Sequence, residues 1–169
     1  MSQYLLLDTL NMTEHFFENA QLFGIGSTYK PIQITHHLNE LFRLDLKREF
    51  EFDWKKNLPS SSSSKSLKIK PSLFEEPSDN MDIAQETIFP VYYYNPFLSD
   101  IEYYLYSNQI NQQQYIKSQK DIQYFFLIKN GQYLPFLQNI TSYIKLLPQV
   151  FFCKKYDISQ CSWKEYLII

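Results

Sequence analysis

Thr87-Ile88-Phe89-Pro90-Val91-Tyr92-Tyr93-Tyr94-Asn95-Pro96-Phe97-Leu98-Ser99-Asp100-Ile101-Glu102-Tyr103-Tyr104-Leu105-Tyr106-Ser107 is the stretch whose reading decides the fold. Aromatic and β-branched residues crowd both halves, and such side chains suit a pleated, half-buried surface. Asn95-Pro96 and Ser99-Asp100 punctuate the middle with turn chemistry. Two strands, Thr87 to Tyr94 and Ile101 to Ser107, joined by so short a connection, predict an antiparallel hairpin.

Outward from the hairpin, the polar run Asn108 to Gln114 makes a longer bend before a third strand, Ile122 to Ile128, which Asn130-Gly131 ends. A helix is predicted over Leu134 to Leu147, with Phe136, Leu137, Ile140, Ile144 and Leu147 on one face and Pro148 stopping it. Gln149 to Lys154 reads as a last strand. Upstream, Tyr4 to Asp8 reads as a first strand. A helix is predicted from Pro31, a residue suited to a first turn, with Ile34, Leu38, Leu41 and Phe42 as its apolar face. Leu46 to Trp54 alternates as a half-buried strand does. The order β-α-β-β-β-β-α-β implies an α+β domain: an antiparallel sheet of about five to six strands, with two helices covering one face.

Residues 55 to 82 change character. Ser60 to Ser64 is an unbroken serine run amid lysines, followed by Glu75, Glu76, Asp79 and Asp82. A segment so polar is expected to form a flexible insertion in a single domain spanning 1–169.

The composition narrows function. Of 169 residues, 44% are hydrophobic and 20% charged, ordinary globular proportions that argue against wholesale disorder. The 14 Tyr, 14 Phe and 2 Trp fit a strand-rich fold or a compositional bias of the source genome. With 16 basic against 18 acidic residues the net charge is −2, without the basic footprint a duplex-DNA binder needs. No signal peptide or membrane-spanning run is evident, so a cytoplasmic location is expected. Cys153 and Cys161 match neither a redox pair nor a zinc knuckle, and Cys153 in an apolar run is expected in the core.

Candidate chemistry is sparse. Phe23-Gly24-Ile25-Gly26-Ser27 is a partial G-x-G without a third glycine or a Walker lysine, and a tight structural bend is the expected reading. His36 and His37 are neighbours on a helix, so their side chains diverge by about 100° and suit packing or surface roles better than a shared metal. Glu75-Glu76 sits in the polar insertion, where nothing would hold a carboxylate for acid–base work. No catalytic residue, cofactor or metal site is expected. Tyr93, Tyr104 and Tyr106 are the candidate interaction surface: one sheet face could pack while the other offers rings to a partner, although core and cross-strand packing is the preferred reading of these rings. Stacking of single-stranded RNA on these rings is the alternative, against which the nearby Asp100 and Glu102 weigh.

Several segments in fixed order resemble the IPExxxVDY family, small bacterial proteins. They are Phe23-Gly24-Ile25, Leu38-Asn39-Glu40-Leu41, Leu44-Asp45-Leu46-Lys47-Arg48, Tyr104-Leu105-Tyr106-Ser107-Asn108 and Tyr124-Phe125-Phe126-Leu127-Ile128. The resemblance covers most of the chain outside residues 55 to 82. In the signature itself Ile116 stands for the Ile, Lys117 and Ser118 replace the Pro and Glu, Ile122 stands for the Val, Gln123 replaces the Asp, and Tyr124 matches. The resemblance implies an Ile anchor, a bend and a buried strand, and a bacterial housekeeping context, but no activity. A non-catalytic interaction or accessory domain with a protein partner is therefore the expected function. An RNA-binding accessory, or an enzyme whose site is assembled from distant residues, is the alternative.

Overall fold

The computed structural model describes residues 13–57 and 86–169. The strand expected over Tyr4 to Asp8 and nearly all of the polar insertion lie outside the described residues. Within them the main sheet has six antiparallel strands: β1 (Gln21–Ser27), β2 (Lys47–Arg48), β5 (Val91–Tyr94), β6 (Glu102–Ser107), β9 (Tyr124–Lys129) and β10 (Val150–Tyr156), in the spatial order β10-β1-β9-β6-β5-β2. A hairpin of β3 (Trp54–Asn57) and β4 (Glu86–Phe89), and a small one of β7 (Gln109–Ile110) and β8 (Gln113–Gln114), stand apart from it. The predicted α+β class and the central hairpin are both present, with Tyr93 opposite Tyr104 in register.

Two helices cover one face. α1 (Pro31–Phe42) starts with proline in its first turn, and Gln33 Oε1 accepts the Lys30 N–H at 2.9 Å, satisfying one donor outside the helix. It ends at Arg43, whose φ of 55° is a left-handed cap. Its buried residues include Ile34, Leu38 and Phe42, as the spacing predicted. The second helix is shorter than expected: a 3₁₀ turn at Leu137–Asn139 runs into α2 (Ile140–Lys145). Pro135 disfavours helical backbone at Leu134, which delays the start. The apolar face nevertheless holds, with Leu137, Ile140 and Ile144 buried.

Alternation along the strands sends Phe23, Ile25, Leu105 and Phe126 to the helices and Leu22, Tyr104, Tyr106, Phe125 and Leu127 to the opposite side. That opposite side is a second core. Its lid carries little regular helix: the β3–β4 hairpin brings Trp54 and Phe89, the 115–122 loop brings Ile116 and Ile122, and the C-terminal 3₁₀ turns bring Trp163 and Leu167. Trp54 stacks between Tyr106 and Tyr115 at ring-centroid distances of 5.0 and 4.3 Å. The Tyr106 hydroxyl donates to the Leu167 carbonyl at 2.8 Å, tying the C-terminal segment to the sheet.

Three expected elements are corrected. Phe23-Gly24-Ile25-Gly26-Ser27 is not a bend; it lies inside β1, and neither glycine has positive φ. These glycines leave room for rings of the neighbouring strand. A Cβ on Gly24 would stand 2.7 Å from Tyr156 Cε2, and one on Gly26 would collide with the Phe151 and Phe152 rings. The strand expected over Leu46 to Trp54 is broken by a turn, with the Phe52 N–H donating to the Glu49 carbonyl. Asp53 folds inward, where it meets Arg48 at 2.6 Å and accepts the Val91 N–H at 2.9 Å. Phe50, in the turn, is exposed, with the Arg48 guanidinium over its ring at 4.5 Å. The strand expected over Thr87 to Tyr94 divides at Pro90, which has no N–H to give a ladder. Residues 55–57, placed with the insertion by sequence, belong to β3.

Burial on two faces has a consequence for pH. Desolvation pushes the Cys153 thiol up to about 12 and the Tyr103 phenol up to about 12, and carries Tyr106 well above its ordinary range. Each group is an acid whose folded pKa exceeds its unfolded value. Its contribution is therefore complete below the unfolded pKa and is lost as pH rises toward the folded one. Stability is expected to hold near neutrality and to fall steadily above about pH 9. In urea titrations at pH 8 and pH 10.5, Cys153→Ala should show a smaller loss between the two pH values than the parent; equal losses would remove Cys153 from this account.

Candidate functional site

The interaction surface expected at Tyr93, Tyr104 and Tyr106 is a shared face, as alternation and register require, but it faces the second core. Tyr106 is fully enclosed, Tyr104 is buried, and only Tyr93 is half-buried. Their rings form a ladder, Tyr93 to Tyr104 at 4.9 Å and Tyr104 to Tyr106 at 5.8 Å. Trp54 stacks on Tyr106, while Phe52 meets Tyr93 edge-on and Tyr104 at a tilt. Tyr104 and Tyr106 pack in the second core and Tyr93 lies at its edge.

At the open end of the ladder the Tyr104 hydroxyl donates to Glu102 Oε2 at 3.0 Å. Lys129 Nζ meets the same carboxylate oxygen at 2.7 Å and lies 4.3 Å from the centre of the Phe16 ring. Burial, then the Glu102 carboxylate, raises the Tyr93 and Tyr104 phenols. Both stay protonated near neutral pH, and the Tyr104 hydroxyl serves as a hydrogen-bond donor to Glu102. The cluster holds β6 and β9 together at this end of the sheet.

That ion pair lines one side of an open cleft of about 820 Å³, with Asn95, Leu98, Asp100 and Tyr133 on its other walls. Above it stands the β5–β6 connection. Phe97 is 92% exposed, Leu98 91% and Tyr133 89%. Leu98 has φ of 57°, a left-handed conformation costly for a Leu side chain. The loop is held firmly: Asn95 Nδ2 donates to the carbonyls of Ser99 and Ile101 at 2.9 and 2.8 Å, and the Ile101 N–H donates to Ser99 Oγ at 3.1 Å. From the other side, Asn130 Nδ2 donates to the Asp100 carbonyl at 3.0 Å. The sequence marked Asn95-Pro96 and Ser99-Asp100 as a turn but passed over Phe97 and Leu98. Two large apolar residues between four turn-formers were the available signal.

The remaining sequence candidates take structural places. His36 and His37 approach Glu40 at 3.4 and 3.9 Å on the surface of α1. Among the described residues no group of three or more His, Cys, Asp or Glu is arranged to hold a metal ion, and no helix is long and apolar enough to cross a membrane. Glu75 and Glu76 lie outside the described residues. Gln123 accepts the Ser27 N–H at 2.9 Å and donates to Gln109 Oε1 at 2.7 Å, bridging β1 and β7. Ile116 and Ile122 are buried on either side of the intervening turn. No protein-family model, curated protein or solved structure matches the chain.

Proposed function

We propose that the protein is a non-catalytic interaction domain that docks on a partner protein through the Phe97–Leu98 tip and Tyr133. The observation that carries this reading is Leu98: exposed, apolar and held at positive φ, it contributes no burial to folding and costs backbone energy. Strain retained in a hydrogen-bonded loop fits a preorganised binding element, whose side chains lose little freedom on association. Neighbouring apolar anchors are the residues that dominate interfaces, and the exposed Asp100 beside them favours an apolar pocket with a basic rim. The resemblance to the IPExxxVDY family supports an accessory role in a bacterial cell.

Photo-crosslinking tests the proposal. A benzophenone amino acid at position 97 should yield one discrete adduct in cells, and the same probe at Lys145 should not. Adding Leu98→Asp should reduce the adduct at least about tenfold, the scale of losing one anchor residue. Equal, diffuse labelling from both positions would sink the reading. A second expected outcome concerns stability: Leu98→Asn, which tolerates left-handed backbone, should stabilise the isolated domain by about 0.5–1 kcal/mol while weakening capture. Urea titration reads this directly, and a destabilised Leu98→Asn variant would mean that the leucine serves folding.

A further inference from the structure

The described residues include a second cleft, of about 570 Å³, lined by Lys55, Lys56, Lys117, Tyr115, Ser118 and Tyr166. It shares no residue with the Phe97–Leu98 cleft. No carboxylate is among its lining residues, and none of the three lysines is ion-paired among the described residues. Lys56 is partly buried, and its ammonium donates to the carbonyls of Gln114 and Tyr115 at 2.7 and 3.2 Å. These bonds aim the charge at the 115–118 loop. Desolvation, then repulsion from Lys117, lowers the Lys56 pKa, so the two ammonium groups feel one another. Bringing like charges together over a partly desolvated floor opposes folding unless an anion joins them.

The aromatic side of the cleft is built with equal definition. Tyr115 stacks on Trp54 and meets the Tyr166 ring edge-on at 6.0 Å, while Tyr166 is 56% exposed. Ser118 adds a hydroxyl that can donate to an oxyanion. Lysine ammonium groups suit phosphate oxygens, and exposed tyrosine rings suit a planar heterocycle. A volume of this size suits a ligand of mononucleotide scale.

We propose that this cleft binds a nucleoside phosphate, its phosphoryl groups held between Lys56 and Lys117 with Lys55 at the rim, and its base against Tyr166. This reading is independent of the docking tip and goes beyond it. The combination was hidden from sequence because Lys55-Lys56 and Lys117-Ser118 are sixty residues apart, and only the seating of β3 beside the 115–118 loop brings them together.

Isothermal titration of the full chain with ADP in 50 mM NaCl tests it. ADP should bind at one site, and raising the salt to 300 mM should weaken binding severalfold. Adenosine, lacking the anion, should give no heat. Lys117→Gln, on an exposed side chain, should lower ADP affinity about tenfold with the thermal midpoint of the free protein unchanged or raised. Lys56→Gln should lower it as much, and Tyr166→Ala should lower ADP affinity while leaving the weaker binding of pyrophosphate unaltered. The proposal is overturned by adenosine binding as well as ADP, by ADP affinity unchanged in Lys117→Gln, or by the absence of any ADP heat. A single-stranded RNA bound far more tightly than ADP and indifferent to Lys117→Gln would likewise overturn it.

Discussion

Asn108→Leu is expected to destabilise the domain by about 3–5 kcal/mol, chiefly the cost of leaving the Ile116 N–H and the Ile122 carbonyl buried without partners. Asn108 has no exposed surface. Its Nδ2 donates to the carbonyls of Gln119 and Ile122 at 3.1 and 2.9 Å, and its Oδ1 accepts the Ile116 N–H at 2.8 Å. Its own N–H donates to the Gln123 carbonyl at 2.8 Å, and its carbonyl accepts from the Tyr115 N–H at 2.9 Å. One side chain thus replaces the ladder that an irregular loop cannot make for itself. Leucine keeps the branching of asparagine but carries bulkier methyl ends, so the loss combines missing hydrogen bonds with overpacking and leaves no cavity. A fall in thermal midpoint of about 10 °C is expected for a chain of this length. Gln138→Leu, on an exposed 3₁₀ turn, should change stability by no more than about 0.5 kcal/mol and serves as the control. A loss below about 1 kcal/mol in Asn108→Leu would show that the 115–122 loop is held by its apolar anchors alone.

The loop so pinned carries Lys117 and Ser118, so the same substitution bears on the lysine cleft. Loosening this loop should weaken ADP binding even under conditions where Asn108→Leu remains folded. That effect would come from lost positioning, because Asn108 is buried away from the cleft.

Gly26→Val should cost about 2–3 kcal/mol, at the upper end for overpacking a well-filled interior. The Phe151 and Phe152 rings occupy the space a side chain would need, at a point where the β1–β10 register shifts between Gly26 and Ser27. The extra residue of this bulge lets both rings turn back over the glycine. A double-mutant cycle isolates the cause. Phe152→Ala should be less harmful in the Gly26→Val background than in the parent, with a coupling of about 1 kcal/mol or more. Strict additivity would mean that backbone freedom at Gly26, and not ring contact, is what valine disturbs.

These two sites show what was legible and what was not. Local periodicity located α1, the β5–β6 hairpin, the apolar face of α2 and the run that became β9, because each depends on side chains close together in the chain. It misjudged Gly24 and Gly26, where the deciding atoms belong to Tyr156, Phe151 and Phe152, more than a hundred residues away. It extended the strand before Trp54 past the turn that Asp53 enforces, since Arg48 and the Val91 N–H are partners that periodicity does not include. The same limit governs the candidate sites. Tyr93, Tyr104 and Tyr106 were rightly placed on one face, yet their burial depends on a lid drawn from residues 13–17, 52–54, 86–89, 115–122 and 158–167. Lys56 and Lys117 come to line one cleft by the same tertiary route.

By itself, then, the amino-acid sequence determined an α+β domain, the sheet's central hairpin, the helical faces and the tyrosines that share a face. Side-chain direction follows from backbone period, and period is a local property. Tertiary structure alone decided which face met solvent, because exposure depends on what distant segments cover. It turned the tyrosine face into a second core, left Phe97 and Leu98 standing outside it, and gathered three lysines into one cleft.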